Sequence, residues 1–263
     1  TRLVKTFLVT FGSQEFYPSM ARLIGSAGRG GIDIPVYKTP EDLQKTEFFQ
    51  QNSGIFNQRR GYGYWLWKPY YILECLQKAD EGDVVIYSDA AVEIVASLSP
   101  LISIAVDRQP LVAFGVGKHQ NGMWTKRDCF ILLNCDGETY WNGLQWNGFF
   151  QLYKKNDWTV NFVQEWLKAC SDPRIITDMP NQMGQPNLPQ FRDHRHDQSV
   201  FSLLCQKAGL EKFRDPSQWG NFLKAIDYRK SGEFLEHPYE DPGMLNSPYG
   251  TLLNHHRERL QAK

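Results

Sequence analysis

At 263 residues with 41% hydrophobic side chains, the chain is long enough to bury the core of one large domain. Its 29 basic and 29 acidic residues cancel, which excludes a global field for nucleic acid or an anionic membrane and makes any phosphate binding local. No apolar run reaches the roughly 18 residues of a membrane span, and no signal-peptide pattern is present. Cys75, Cys129, Cys135, Cys170 and Cys205 sit in no metal-ligand spacing, and an odd count argues against a complete disulfide framework. A cytoplasmic or other reducing compartment is therefore expected. The chain begins at Thr1 rather than Met, as a processed protein or a piece of a longer one would.

In chain order, Val4 to Thr10 reads as a first strand and Pro18 to Ala27 as a helix with Pro in its first turn and Gly28 past its end. Ile34 to Tyr37 suits a second strand. Pro69 opens a helix with Ile72, Leu73, Leu76 and Ala79 on one face and Gly82 after it. The apolar run Val84 to Tyr87 has the character of a strand covered on both faces, and Leu111 to Val116 that of another. Asn156-Asp157 introduces a helix carrying Phe162, Val163, Trp166, Leu167 and Cys170. Met179 to Gln190, with three prolines and Gly184, reads as a loop able to cover a site. Asp197 or a neighbour caps a helix bearing Val200, Phe201, Leu203 and Leu204, ended by Gly209. The tail from Asp241 to Gly250 is again loop-like. Strands alternating with helices predict a single α/β domain with a mainly parallel sheet flanked by helices.

Six stretches could carry chemistry. In Arg59 to Pro69, four large aromatics (Tyr62, Tyr64, Trp65 and Trp67) interleave with Gly61 and Gly63 and are flanked by Arg60 and Lys68. Such a run suits a flat heterocycle and a phosphate; its alternative is ordinary core packing. Asp89 follows the Val84–Tyr87 strand, where open α/β sheets place their ligands, and a carboxylate there suits a hard divalent cation on a diphosphate. A turn cap is the plainer explanation. Ser88 and Ala90 flank Asp89, so a full Asp-x-Asp is absent and Glu93 is the candidate second acid. His194-Arg195-His196-Asp197 places four ionisable groups at a helix start, where the dipole and cationic neighbours would keep Asp197 ionised and ready to accept a proton. His255 and His256 offer imidazole ligands near the end, or merely a solvated tail. Trp124 to Asp128 and Gln145-Trp146-Asn147-Gly148 have the aromatic, amide and glycine content of carbohydrate contacts, or of plain loops and turns.

Gly61-Tyr62-Gly63-Tyr64-Trp65-Leu66-Trp67-Lys68-Pro69, Tyr87-Ser88-Asp89-Ala90, Gln145 to Gly148 and His194-Arg195-His196-Asp197-Gln198-Ser199 together resemble, in order and spacing, a group of GT-A-type nucleotide-sugar glycosyltransferases, over about Val4 to Arg257. The resemblance implies a GT-A-like, Rossmann-type single domain over 1–263. Its half over about 1–120 would bind the nucleotide sugar and its half over about 121–263 the acceptor. It implies Thr10, Phe11 and Gly12 near base and ribose; Arg60, Tyr64, Trp65, Lys68, Ser88 and Asp89 on the donor; and Asn147, Gly148 and His196 around it, with Gly148 in a glycine-containing acceptor-side loop. Asp197 would act on the acceptor hydroxyl, and Asp89 with His255 or His256 would hold Mn²⁺ or Mg²⁺. The expected partners are a nucleoside-diphosphate sugar and a glycan or other hydroxyl acceptor, with no nucleic acid. Two other functions compete: a decayed sugar-nucleotide or glycan binding module, favoured by the incomplete acidic motif, and a nucleotidyltransferase, disfavoured because Thr10 to Glu15 contains no basic residue.

Overall fold

The computed structural model describes residues 3–220 and 245–256, together with the backbone of a short antiparallel pair, Ala225–Ile226 with Phe234–Leu235. Of the expected tail loop, 241–244 lie outside the described residues, as does Arg257.

The central sheet has five strands: β1 (Thr6–Phe11), β2 (Ile34–Lys38), β3 (Val84–Ser88), β5 (Leu111–Val112) and β8 (Phe150–Lys154), in the order β2-β1-β3-β8-β5. Between them in sequence lie β4 (Val92–Ile94), β6 (Gly115–Gln120) and β7 (Leu144–Trp146), which pair elsewhere. β1 runs parallel to both β2 and β3, and β8 is antiparallel to its neighbours β3 and β5. The domain is thus α/β with a mainly parallel sheet flanked by helices on both faces, as expected from the alternation of elements.

Every residue of β1 and β3 is buried, because alternate side chains enter two different cores. Phe7, Val9, Phe11, Val85, Tyr87 and Tyr153 pack with helices α2 (Trp67–Lys78), α4 (Asp157–Cys170) and α5 (His196–Lys207). Leu8, Val84, Ile86, Phe150 and Leu152 pack with α1 (Tyr17–Ser26) and α3 (Ser99–Asp107). α4 starts at a capping box in which the Asn156 side chain accepts from Thr159 N and Thr159 Oγ1 accepts from Asn156 N, satisfying two end donors reciprocally.

Four expectations shift. α1 is prolonged by a 3₁₀ turn through Gly30, so the left-handed residue is Gly31 (φ +80°), not Gly28. The predicted strand over Leu111–Val116 breaks after Val112, and Gly115 to Gln120 leaves the sheet as an irregular pair with β7. α2 begins at Trp67, so Pro69 lies inside its first turn, where a missing N–H costs nothing. Asp197 does not cap α5: Ser199 Oγ takes the Arg195 N–H at 3.2 Å, and Asp197 turns inward.

Candidate active site

The chain goes from β1 to β2 on one side and returns to β3 on the other. The crevice beyond the C-terminal ends of β1 and β3 is therefore a topological switch point, where α/β sheets bind ligands. A cleft of about 840 Å³ opens there. Phe11, Gly12 and Ser13 line it at the end of β1, Asp89, Ala90 and Ala91 after β3, and Tyr62, Trp65 and Trp67 form its aromatic wall beside Arg59.

That wall rests on a conformation that periodicity cannot reveal. Five consecutive residues, Gly61, Tyr62, Gly63, Tyr64 and Trp65, have φ of +57°, +50°, +82°, +55° and +61°. They form one turn of left-handed helix, with Tyr64 N donating to Arg60 O (2.8 Å) and Trp65 N to Gly61 O (3.1 Å). For an L-residue this region costs roughly 1–2 kcal/mol, and three of the five carry side chains. Packing offsets the cost. Tyr64 is buried, Phe56 lies against Gly63, and the Trp65 indole lies so close to Gly61 that a Cβ there would be 2.4 Å from the ring. Trp67 Nε1 donates to Gly61 O (3.0 Å), and Trp67 stacks on Phe11 at 4.3 Å. The run therefore divides: Tyr62 and Trp65 face the cleft half-buried, while Tyr64 belongs to the core. Trp67 serves both.

Beneath Asp89 lies a buried ion pair. Lys68 Nζ donates to Asp197 Oδ2 (2.6 Å) and Gly148 O (2.9 Å), and stands 3.7 Å from Asp89 Oδ1. Tyr87 OH donates to Asp89 Oδ1 at 2.5 Å. Burial pushes the Asp197 carboxyl up, to about 6, against the pull of Lys68. Burial also works to lower the Lys68 ammonium, but Asp197 and Asp89 outweigh it and leave its pKa raised. At neutral pH both members are charged. Asp197 lies in the first turn of α5 as expected, but the cation beside it is Lys68 and not a histidine. Burial holds His194 well below its ordinary range and His196 down to about 4, so both imidazoles are neutral. His196 Nδ1 donates to Ile176 O (2.7 Å), and its ring stacks behind Trp65 at 5.6 Å.

Gly148 sits in a tight corner: a Cβ would lie 3.3 Å from Gln198 Cβ and 3.4 Å from Lys68 Nζ. Its N–H donates to Gln198 Oε1 (3.0 Å), and Gln198 Nε2 to Gln145 Oε1 (2.7 Å), which fixes the loop that accepts from Lys68. Asn147 is buried beside it, with its N–H on Phe114 O. Thr10 and Ser88 are fully buried within the sheet and do not line the cleft.

Arg60 is placed elsewhere. Its guanidinium grips Asp193 (2.6 Å) and Asp178 (3.0 Å) and lines a second, smaller pocket. Its neighbour Arg59 lines the main cleft and has no ion-pair partner among the described residues. Sequence reasoning missed Arg59, since only the turn at Gly61 decides which of two adjacent arginines faces the cleft.

For a divalent cation, Asp89 is the one carboxylate at the end of β3. Glu93, the candidate second acid, pairs instead with Arg22 at 2.6 Å. The C-terminal strand Leu253–His255 runs antiparallel to β4, and His256 N donates to Ala91 O (3.0 Å), which brings the histidine pair to the Asp89 loop. The His255 ring packs on Phe149 at 4.3 Å. Among the described residues no group of three His, Cys, Asp or Glu side chains could hold a metal ion. Asp89 alone falls short of the ligand set of a resident divalent cation, which takes about six or more oxygens.

All five cysteines are buried free thiols, and among the described residues no helix is long and apolar enough to cross a membrane.

No family model matches the sequence, and no curated protein does. Among solved structures it overlaps apo mouse xyloside xylosyltransferase 1, at 11% identity over 97% of this chain and 98% of that one, with a TM-score of 0.48. It overlaps the galactosyltransferase LgtC, in complex with donor and acceptor sugar analogues, at 14% identity over 95% and 86% (TM-score 0.46). The apo bifunctional glycosyltransferase WbbM overlaps at 12% identity over 76% of this chain and 37% of that one (TM-score 0.45).

Proposed function

We propose that the cleft binds a nucleoside-diphosphate sugar together with a divalent cation and transfers the sugar to a hydroxyl of a glycan or other acceptor, as in GT-A-type glycosyltransferases. The observation that carries this reading is the cleft at the β1–β3 switch point, with an aromatic wall on one side and Asp89 above a buried ammonium on the other. Tyr62 and Trp65 suit the faces of a base. Charge decides how the diphosphate enters. The cleft is lined by Arg59 against Glu15, Glu41 and Asp89, so it repels a bare diphosphate and favours one already paired with a cation. Bound Mg²⁺ or Mn²⁺ would supply neutralisation of the leaving diphosphate, with Asp89 and His255 or His256 as the residues that would hold it.

Lys68 adds a fixed positive charge below Asp89, and Tyr87 fixes the carboxylate by a hydrogen bond. Arg59 is the cleft's own contact for a phosphate. Asp197 serves as counterion to Lys68: its Oδ2 is taken at 2.6 Å and its side chain is 4% exposed, so an acceptor hydroxyl has no access to it as a base. On this reading residues 1–120 form the donor half and 121–263 the acceptor half of one domain.

The test is a thermal-stabilisation screen of nucleoside-diphosphate sugars with and without Mn²⁺, on wild type and Asp89→Asn. A donor at 100 times its Kd should add about 2.7 kcal/mol, and the variant should lose the cation-dependent part. Release of free sugar or transfer to an acceptor is then followed on the donor that binds. If no sugar nucleotide stabilises the protein under either condition, the reading fails; binding without turnover marks a sugar-nucleotide binding module, the function that the single carboxylate favours.

A further inference from the structure

The loop over 179–190 builds a pocket of its own, apart from the cleft. About 290 Å³ in volume, it is walled by Arg60, Lys126, Asp178, Asn187, Phe191 and Asp193. The walls are set in advance. The buried Asp128 carboxylate accepts from Gln182 N (2.6 Å) and Met183 N (3.1 Å), and buried Lys126 donates to Met179 O (2.6 Å). Asn181 Nδ2 donates to Asn187 Oδ1 (2.8 Å) and ties the two ends of the loop together. A stretch without regular secondary structure is thereby held like a strand.

The chemistry of the walls selects a ligand class. Arg60 and Lys126 balance Asp178 and Asp193, and His194 is neutral, so the lining carries no net charge. An anion would meet a guanidinium already committed to two carboxylates, at 2.6 and 3.0 Å. A neutral ligand rich in hydroxyls meets what it needs: carboxylate oxygens that accept, guanidinium and amide N–H groups that donate, and the half-buried Phe191 ring for an apolar C–H face. Arg60, Asp178 and Asp193 are each about two-fifths exposed, so hydrogen-bonding capacity remains on the open side. At about 30 Å³ per water, the volume matches about ten waters, or one sugar ring. Arg59 lines the cleft and its chain neighbour Arg60 lines the pocket.

We propose that this pocket binds one neutral saccharide unit, a sugar of the acceptor remote from the hydroxyl that is glycosylated. The naming of that sugar as the acceptor's rests on the glycosyl-transfer reading; saccharide binding itself does not.

The experiment titrates cellobiose, lactose, maltose and xylobiose, with glucose 6-phosphate and glucuronate as charged controls, into the full chain without donor. Hydrogen exchange then maps where they bind. The expected result is millimolar binding of at least one neutral disaccharide, slower exchange over 178–193, and an affinity loss of tenfold or more in Phe191→Ala and in Asp193→Asn, with melting temperatures within a few degrees of wild type. Four outcomes overturn the proposal: no neutral disaccharide bound, tighter binding of the charged sugars, slowed exchange confined to the cleft, or unchanged affinity in either folded variant. Because donor is absent, these outcomes are separate from the sugar-nucleotide screen. Transfer activity with unchanged acceptor KM in both variants would sink this pocket alone, and saccharide binding without donor binding would sink only the transferase reading.

Discussion

Lys68 and Asp197 meet at 2.6 Å with both side chains about 4% exposed, so the charge nearest Asp89 is held from inside the core rather than from solvent. Such a pair is weak evidence for stability, because desolvating two ions offsets most of their attraction, but stranding one of them is costly. Lys68→Met leaves the Asp197 carboxylate buried without a cation and should cost about 3–5 kcal/mol in urea unfolding. Lys68→Met combined with Asp197→Leu should recover most of that loss while abolishing donor binding. A single variant within about 1 kcal/mol of wild type would contradict the buried pairing.

The left-handed turn makes a second prediction, about two glycines of similar φ. Gly61 (φ +57°) and Gly31 (φ +80°) both favour residues without Cβ, but a Cβ at Gly61 would lie 2.4 Å from the Trp65 ring, whereas at Gly31 nothing is within 4 Å. Gly31→Ala should therefore cost only the conformational penalty, about 1 kcal/mol, and leave Trp65 untouched. Gly61→Ala must displace the indole as well; we expect a loss at least twice as large and a shift in tryptophan emission. Equal losses would mean that Trp65 is not locked by the turn.

His196 sets a pH dependence. It faces Asp178, Arg60, Asp193 and His194, and burial lowers its pKa to about 4 from an ordinary value near 6.5. The unfolded chain takes up this proton near pH 6.5 and the folded chain only near 4, so the contribution to stability is complete above 6.5 and is lost as pH falls through that window. The difference amounts to about 3 kcal/mol at full development. Asp197 and Asp215, both raised to about 6 by burial, act in the opposite sense, since the folded chain binds protons that the unfolded chain has released. The wild-type profile is thus flattened, and the comparison with His196→Gln isolates the histidine. Relative to that variant, wild type should lose stability between pH 6.5 and 4; parallel profiles would rule out a buried neutral imidazole.

What the sequence disclosed and what it hid follow from the range of the interactions. β3 and α4 were legible because an apolar run and an Asn-capped apolar stripe are local patterns that the fold only has to bury. Asp89 was legible from its position after a buried strand. The left-handed turn was not, because Gly61-Tyr62-Gly63-Tyr64-Trp65 has no local preference for five positive φ values; contacts with Phe56 and Trp67 stabilise them. Nor was the state of Asp197. Its four-residue neighbourhood suggested cationic support from histidines, whereas the charge comes from Lys68, 129 positions away. The same non-local choice separated Arg59 from Arg60.

That separation gives the last prediction. Arg59 lines the cleft and has no ion-pair partner among the described residues, so its guanidinium is available to a phosphate oxygen. A charge-assisted hydrogen bond of this kind contributes about 1.5–3 kcal/mol. Arg59→Ala should then weaken sugar-nucleotide affinity about tenfold or more, with the melting temperature little changed, because no ion pair among the described residues is removed. Arg60 is the contrasting case. Its carboxylate partners are about two-fifths exposed, so Arg60→Ala should cost less than about 1 kcal/mol of stability and leave donor affinity as it was, while lowering affinity for a saccharide in the second pocket. Donor titrations on both variants decide between the two arginines. If Arg60→Ala loses donor affinity and Arg59→Ala keeps it, the guanidinium of Arg60 must leave Asp178 and Asp193 when the nucleotide binds, and the two cavities do not act as separate sites.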